Sequence, residues 1–199
     1  MAAINAAMVK QLREKTGAGM MDCKEALTEC DGDISKSIDF LRKKGLATAL
    51  KRSGRVMSEG VIESYIHMGS KLGVLVEINC ETDFVAKNDD FIKFAKNIAM
   101  HIAAINPVGI RPEDISEDII NREKEIYRAQ AIETGKPEKI IDKITEGKLQ
   151  KFYKDNCLMG QAYVRDPNIT VEDLLNGLIA KIGENITIKR FVRFQIGES

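Results

Sequence analysis

The 199-residue sequence predicts an α+β protein, in which a small N-terminal three-helix module precedes an α+β core with an antiparallel sheet packed against helices. Helical spacing of apolar residues early in the chain and period-two alternation in two later segments carry this prediction. The third observation is charge, because residues 1–56 hold 11 Lys and Arg against 7 Asp and Glu, whereas residues 57–199 hold 19 against 23. We therefore predict two domains, a helical module with a basic linker at 1–55 and the core at 56–199.

Three short helices are predicted in the N-terminal module. Asn5 can cap the first, which ends at Thr16–Gly19, and the second ends at Asp31-Gly32. Asp33 can cap the third, which we expect to end before Gly45. The apolar stripes of the three helices are Ile4, Met8, Val9 and Leu12; Met20, Cys23, Leu27 and Cys30; and Ile34, Ile38 and Leu41. Between Arg42 and Arg55 there are six basic residues and no acid, and this basic run is typical of a solvated helix or linker.

A β-hairpin opens the predicted core. Apolar residues alternate in 61–66 and again in 72–78, on either side of a turn at Gly69-Ser70-Lys71. A Phe-rich helix with an apolar stripe begins after Asn88, a candidate cap, and ends at Asn106-Pro107.

The second half of the core is predicted to be mostly helical. Two polar helices at about 116–134 and 137–154 are separated by a Gly stop and a Pro start. A short strand at 162–164 and a turn at 166–168 precede a helix at 171–182. The last strand spans 186–196, and its alternation places five apolar residues on one expected face: Ile186, Ile188, Val192, Phe194 and Ile196.

Composition excludes several classes of protein. The formal net charge is zero, so the chain lacks the strong positive field of a dedicated nucleic-acid binder. No apolar stretch approaches the roughly 20 residues that span a bilayer, and the first residues lack a signal-peptide pattern. Four scattered cysteines and two histidines favour neither a disulfide framework nor a metal site. We expect a cytoplasmic protein without metal or cofactor.

No motif predicts catalysis. Gly17-Ala18-Gly19 follows a helix and lacks a third glycine, unlike a dinucleotide-binding loop. His67 lies near the hairpin turn and Cys80 at the far end, which separates them by more than roughly 20 Å, so they cannot form a dyad. His101 is interpreted as an ordinary histidine at the edge of the core. The sequence therefore does not predict an enzyme.

The segment Thr82-Asp83-Phe84-Val85 requires a separate explanation, because it stands between a buried strand and the Phe-rich helix. One interpretation is structural, with Thr82 or Asp83 as a helix cap and Phe84 inside the core. The other is a rigidly mounted wedge, in which the aromatic ring fills a partner's pocket beside an acid that competes for polar contacts there. The local pattern leaves both open.

Five motifs, in order along the chain, resemble elongation factor Ts. They are Thr16-Gly-Ala-Gly-Met-Met-Asp-Cys-Lys24 with Ala26-Leu27, Glu77-Ile-Asn-Cys-Glu-Thr-Asp-Phe-Val-Ala-Lys87, Met100-His-Ile-Ala-Ala104, Gly135-Lys-Pro137 and Lys181-Ile-Gly-Glu-Asn-Ile186. The first two are long enough to be highly specific. The resemblance covers essentially the whole chain, and at this length it is to the family's short form, which has a single core.

The resemblance implies a guanine nucleotide exchange factor for elongation factor Tu that binds no nucleotide itself. The N-terminal module would be UBA-like and would dock on the GTPase's nucleotide domain through Arg13, Met20 and Met21. The family's intruding tip, held to dislodge the partner's Mg²⁺, matches Thr82, Asp83, Phe84 and Val85. His67 and Ile182 match further partner contacts. Because Met20 and Met21 are adjacent on a helix, we expect one to pack inside the module and the other to face the partner.

Alternatives from other classes also follow from the sequence. Arg42–Arg55 could serve a nucleic-acid-binding module, although we expect no nucleic-acid partner, and Cys80 could serve a hydrolase. A single-core form could also pair with a second chain, with exposed apolar strand edges, such as the 186–196 strand, as the seam. The homodimer is therefore kept as a hypothesis.

Overall fold

The computed structural model describes residues 4–135 and 137–198; Lys136 of the Gly135-Lys-Pro137 motif lies outside them. The helices and strands, in chain order, are α1 (Ala6–Thr16), α2 (Met20–Glu29), α3 (Ile34–Arg52), β1 (Glu59–Ile66), β2 (Leu72–Cys80), α4 (Asp83–Ala86), α5 (Asp89–Ile105), α6 (Glu117–Glu133), α7 (Glu138–Asn156), β3 (Ala162–Tyr163), β4 (Asp166–Thr170), α8 (Val171–Ile182) and β5 (Ile186–Gln195).

The chain divides into two compact units. One runs to Met100 and resumes at Glu172, and the other is His101–Val171. The first unit thus holds both the helical module and the three-stranded sheet. The predicted α+β class with an antiparallel sheet is confirmed, whereas the domain boundary at 55–56 and the UBA-like character of the module stay predictions.

Local sequence signals fix both ends of α1 and the start of α3. The Asn5 side chain accepts a hydrogen bond from Met8 N at 2.9 Å, and Asp33 accepts one from Lys36 N at 3.0 Å. Gly17 ends α1 with φ of 69°, a left-handed conformation that glycine adopts without strain. The module closes around Leu12, Cys23, Ala26 and Leu27.

The predicted end of α3 before Gly45 is wrong, because the helix continues through the basic run to Arg52. Gly45 is buried against α8, where a Cβ added to it would lie 3.5 Å from the Asn176 carbonyl oxygen. Arg42 also pairs with Asp173 of α8. A single glycine costs a helix interior only about 1 kcal/mol, so packing of this kind carries the helix past it.

The sheet has the order β1-β2-β5, and all its strands are antiparallel. The face of β2 that carries Val74, Val76 and Ile78 is buried. The one-turn helix α4 packs against β1 and β2. The buried stripes of α5 and α8 supply further apolar interior, including Phe91, Phe94, Ile98, Leu175 and Ile179.

The prediction that β5 has a single apolar face is wrong. Arg190 pairs with Glu77, but Ile188 pairs with Ile78, so one extra residue is inserted at Lys189. Such a bulge reverses the alternation, because side chains before and after it point to opposite faces. Ile186 and Ile188 are consequently buried, whereas Phe194 is exposed.

The second unit contains the two polar helices, α6 and α7, which pack against each other. Its interior includes His101, which is fully buried rather than at the core edge. Val164 N donates to His101 Nδ1 at 3.2 Å, so Nε2 carries the proton and donates to Gln161 Oε1 at 3.0 Å. The segment predicted as a turn at 166–168 belongs to β4, which pairs with β3.

Candidate partner-binding site

The segment Thr82–Val85, called the tip below, is the first turn after the central strand of the sheet. Thr82 caps α4, since its Oγ1 accepts a hydrogen bond from Val85 N at 3.4 Å. Val85 is buried, but the Phe84 side chain is 82% exposed. The structural interpretation therefore holds for the cap and is wrong for the ring, which projects into solvent.

Asp83 stands beside that ring with its carboxylate exposed. Lys87, one turn later, donates a hydrogen bond to Asp83 Oδ2 at 2.8 Å. This bond lowers the pKa of the Asp83 carboxyl below its usual value, so the group is ionised at neutral pH. The tip thus presents a hydrophobic ring and a negative charge on adjacent residues.

The base of the tip is bonded to the turn between α8 and β5. Glu184 Oε2 accepts from Glu81 N at 3.2 Å and from Thr82 N at 3.1 Å, and its Oε1 accepts from Thr82 Oγ1 at 2.7 Å. In return, Asn185 N donates to Glu81 Oε1 at 2.6 Å. We call Glu81, Thr82, Glu184 and Asn185 the clasp. Sequence reasoning missed the roles of Glu81, Glu184 and Asn185; its one signal was that all three belong to recognised motifs.

Cys80 is buried directly beneath the tip, and its thiol donates to Thr82 O at 3.2 Å. Burial raises the pKa of Cys80 to about 11, so the thiol is protonated at neutral pH and is a poor nucleophile. His67 lies at the opposite end of the hairpin, where its N donates to Leu72 O, while Cys80 pairs with Glu59. The separation of this pair is confirmed, which argues against a hydrolase.

The residues matched in the N-terminal module lie on α1 and α2. Arg13 is exposed, and Met20 and Met21 are 61% and 73% exposed. The expectation that one methionine packs inside is wrong. Cys23, Ala26 and Leu27 already fill the inner side of α2, so both methionines of its first turn remain in solvent.

The two remaining matched residues lie on separate parts of the first unit. His67 is exposed beyond the end of β1, and its Nδ1 lies 2.9 Å from the Tyr65 hydroxyl in a hydrogen bond. Ile182 is half-buried at the end of α8, two residues before Glu184. The structure thus brings the Ile182 turn to the base of the tip through the clasp, and it places His67 at the other end of the sheet.

The basic run is partly neutralised by acidic neighbours. Lys44 Nζ lies 2.9 Å from Asp22 and 2.6 Å from Glu25, Arg42 pairs with Asp173, and Arg55 lies 3.3 Å from Glu81. Three of its six basic side chains therefore face carboxylates, which weakens the nucleic-acid interpretation because paired cations release few counterions on binding a phosphate backbone.

Residues 4–135 and 137–198 contain neither a ready metal site nor a helix that could span a membrane. Among them, no group of three or more His, Cys, Asp or Glu side chains is arranged to hold a metal ion. No helix within that part of the chain is long and apolar enough to cross a membrane.

Comparison with known proteins agrees with the resemblance. The family model described as elongation factor TS matches residues 6–198. The chain is 65% identical over 198 residues to the elongation factor Ts of Desulfosudis oleivorans, covering 100% of both chains. It is 58% identical to that of Syntrophobacter fumaroxidans, over 98% of this chain and 97% of the relative. A match of this extent, through the tip and the clasp alike, places the chain in the elongation factor Ts family.

Proposed function

We propose that this chain is a non-covalent guanine nucleotide exchange factor for elongation factor Tu in translation elongation. It binds the complex of that GTPase with GDP, disturbs the Mg²⁺ site and promotes release of GDP and its exchange for GTP. The observation that carries the proposal is the tip, where an exposed Phe84 ring stands beside the ionised Asp83 carboxylate. A factor of this kind works in the cytoplasm.

The mechanism follows from thermodynamic linkage. A factor that binds the nucleotide-free GTPase more tightly than the nucleotide-bound form must weaken nucleotide binding by the same ratio. Mg²⁺ balances much of the charge of the bound phosphates, so an aromatic ring and a carboxylate pushed into its surroundings lower nucleotide affinity. No bond in this chain or in the nucleotide needs to be broken.

The expected weakening of nucleotide binding requires more contacts than the tip alone provides. A ten-thousand-fold weakening corresponds to about 5.5 kcal/mol of differential contact, and burying one Phe supplies about 2–3 kcal/mol. The remainder is assigned to Arg13, Met20 and Met21 on a UBA-like module, and to His67 and Ile182 on the core. The exposure of both methionines supports this assignment, since each offers apolar surface to a partner.

The direct test is release of fluorescently labelled GDP from elongation factor Tu. Adding this protein should accelerate release in a saturable way in the presence of Mg²⁺, and the acceleration should shrink when Mg²⁺ is chelated, because the metal is then already absent. Release that is equally slow with and without the protein would contradict the proposal.

We also propose a homodimer, built on the sheet face opposite the buried side chains of Val74, Val76 and Ile78. This open sheet face consists of Ile62, Ser64, Ile66, Gly73, Leu75, Glu77, Arg190, Val192 and Phe194, which share one side by strand register. Its two charged residues neutralise each other, with Arg190 Nε 2.6 Å from Glu77. A second copy would therefore meet apolar surface without like-charge repulsion.

A further inference from the structure

The tip needs support from outside its own helix. α4 has only four residues, and a single helical turn is not stable by itself in water. Val85 packs inward and attaches the turn to the core, but Phe84 is exposed and Asp83 is bonded only to Lys87 of the same turn, so neither of the two outward-facing side chains holds the turn in place. The direction in which ring and carboxylate point therefore depends on how the base of the turn is held.

Glu184 supplies that support with one carboxylate. It accepts hydrogen bonds from two consecutive backbone N–H groups, those of Glu81 and Thr82, and from the Thr82 hydroxyl. Hydrogen bonds to an ionised acceptor are about twice as strong as neutral ones. The three donors lie more than 100 residues away in sequence, so these bonds join the tip to a distant turn rather than to its neighbours.

The Thr82 hydroxyl links the support to the helix cap. Its hydrogen is donated to Glu184 Oε1 at 2.7 Å, which leaves its lone pairs to accept from Val85 N at 3.4 Å. The carboxylate therefore sets the rotation of the hydroxyl that caps α4. Without the negative charge at residue 184, the Thr82 hydroxyl would rotate away from the orientation that caps α4. The turn that carries Phe84 would then loosen.

Further hydrogen bonds hold in place the turn that carries Glu184. Asn185 N donates to the Glu81 carboxylate, Asn185 Nδ2 donates to Arg55 O at 3.3 Å, and Arg55 Nη1 lies 3.3 Å from Glu81. The hydrogen bond from Asn185 N, together with the nearby Arg55 charge, lowers the pKa of Glu81. Each of the two turns thus donates backbone hydrogen bonds to a carboxylate of the other. Arg55, in the segment after α3, is hydrogen-bonded to both turns.

We propose that Glu184 is a positioning residue for exchange: it holds the turn that aims Asp83 and Phe84, and it acts through that turn rather than by touching the GTPase. This inference rests on the proposed exchange function, but one of its consequences does not. A loosened turn is more mobile in the free protein, whether or not any GTPase responds to it.

The first experiment measures that mobility without a partner. The chain contains no Trp, so Phe84→Trp places a single fluorophore at the tip. In this background Glu184→Gln should lower the fluorescence anisotropy of the indole, while Glu146→Gln, the same change on exposed α7, should leave it unchanged. Thr82→Val, which removes the hydroxyl but leaves both backbone bonds, should lower it as well, and Thr82→Ser should restore it. Unchanged anisotropy in both Glu184→Gln and Thr82→Val would overturn the inference.

The second experiment measures exchange per folded molecule. Glu184→Gln should lower the maximal rate of GDP release about tenfold, as expected for loss of one hydrogen bond to a charged group, while the concentration for half-maximal effect changes less. In a Phe84→Ala background the same change should have little further effect, because the group it aims is gone. Equal losses in both backgrounds, or a lower melting temperature with full exchange activity, would overturn the inference. If the wild-type protein releases no GDP, the proposed function fails, and the anisotropy result still decides the role of Glu184.

Discussion

Phe84 holds a large apolar ring in water on a helix whose next residue, Val85, is buried. A ring in that position contributes little to folding, because its area stays hydrated in the folded protein as in the unfolded one. It can contribute fully to binding, where the same area is removed from water by a partner. Val85 thus attaches the tip to the core, and Phe84 offers its ring to a partner.

Phe84→Ala should therefore slow GDP release without unfolding the protein. Removing about 2–3 kcal/mol of differential contact corresponds to a loss of roughly 30- to 160-fold in the maximal rate. The melting temperature should stay within a few degrees, since the side chain is exposed. Ile132→Ala, a truncation of an exposed residue on α6, is the matched control and should leave the rate unchanged. A loss of exchange that only follows the unfolded fraction would contradict this prediction.

His101 predicts a pH dependence of stability. Burial lowers the pKa of His101 below 6.5, and the hydrogen bond to Gln161 offsets this only in part. Because the unfolded chain binds this proton more readily, stability falls as the pH drops below about 6.5, by at most about 1.4 kcal/mol per pH unit. Urea unfolding measured from about pH 8 to about pH 5 should show a weaker decline in His101→Gln than in the wild-type protein. Identical declines would show that His101 is not the responsible group.

Residue types at the tip could be read from the sequence, but their exposure could not. Thr82 carries a cap signal that is local, so it was predictable from its neighbours alone. Whether Phe84 enters the core depends on which space the sheet and α4 leave, which is a long-range property. The same applies to Met20 and Met21, and to Glu184, whose donors lie about 100 residues away.

Helix α3 shows how tertiary packing overrides a local stop signal. Gly45 has an ordinary helical conformation, and an added Cβ would lie at van der Waals distance from α8. Gly45→Ala should therefore raise the free energy of unfolding by about 0.5–1 kcal/mol, because alanine loses less backbone entropy on folding. Gly17→Ala, at φ of 69°, should instead lower it by about 1 kcal/mol or more. Urea titrations of the two variants should give shifts of opposite sign; destabilisation by Gly45→Ala would mean that the contact with α8 has no room.

The two faces of strand β5 could not be assigned correctly from alternation alone. Its apolar residues at 186, 188, 192, 194 and 196 all have even numbers, so simple alternation assigns them to one face. The bulge at Lys189 places the first two inside and turns Val192 and Phe194 to the other side. Lys189-Arg190 and Phe191-Val192 break the alternation within the strand, but only the pairing with β2 shows that Lys189 is the extra residue. The positions and order of the long helices, by contrast, follow from apolar spacing and caps within each segment, and they were therefore predictable.

The bulge in β5 also determines which face of the sheet is available for pairing with a second copy of the chain. By reversing β5 it adds Val192 and Phe194 to the side of the sheet that already carries Ile62, Ile66 and Leu75, all exposed. Five apolar side chains on three adjacent strands form a contiguous surface of the kind that monomers rarely leave in water. A face that pairs with its own copy about a two-fold axis needs no charge complementarity beyond neutrality, which the Glu77–Arg190 pair provides.

The wild-type protein should therefore sediment at twice its chain mass of 22.2 kDa at micromolar concentrations. Leu75 lies on the central strand of that face, between Ser64 and Val192. Leu75→Lys places one positive charge from each copy in the interface and should yield a monomer, since an unpaired charge buried there costs several kcal/mol. Ile132→Lys, an exposed site on α6, should leave the mass unchanged. A wild-type protein that stays monomeric, or a Leu75→Lys protein that stays dimeric and folded, would show that this face is not the seam.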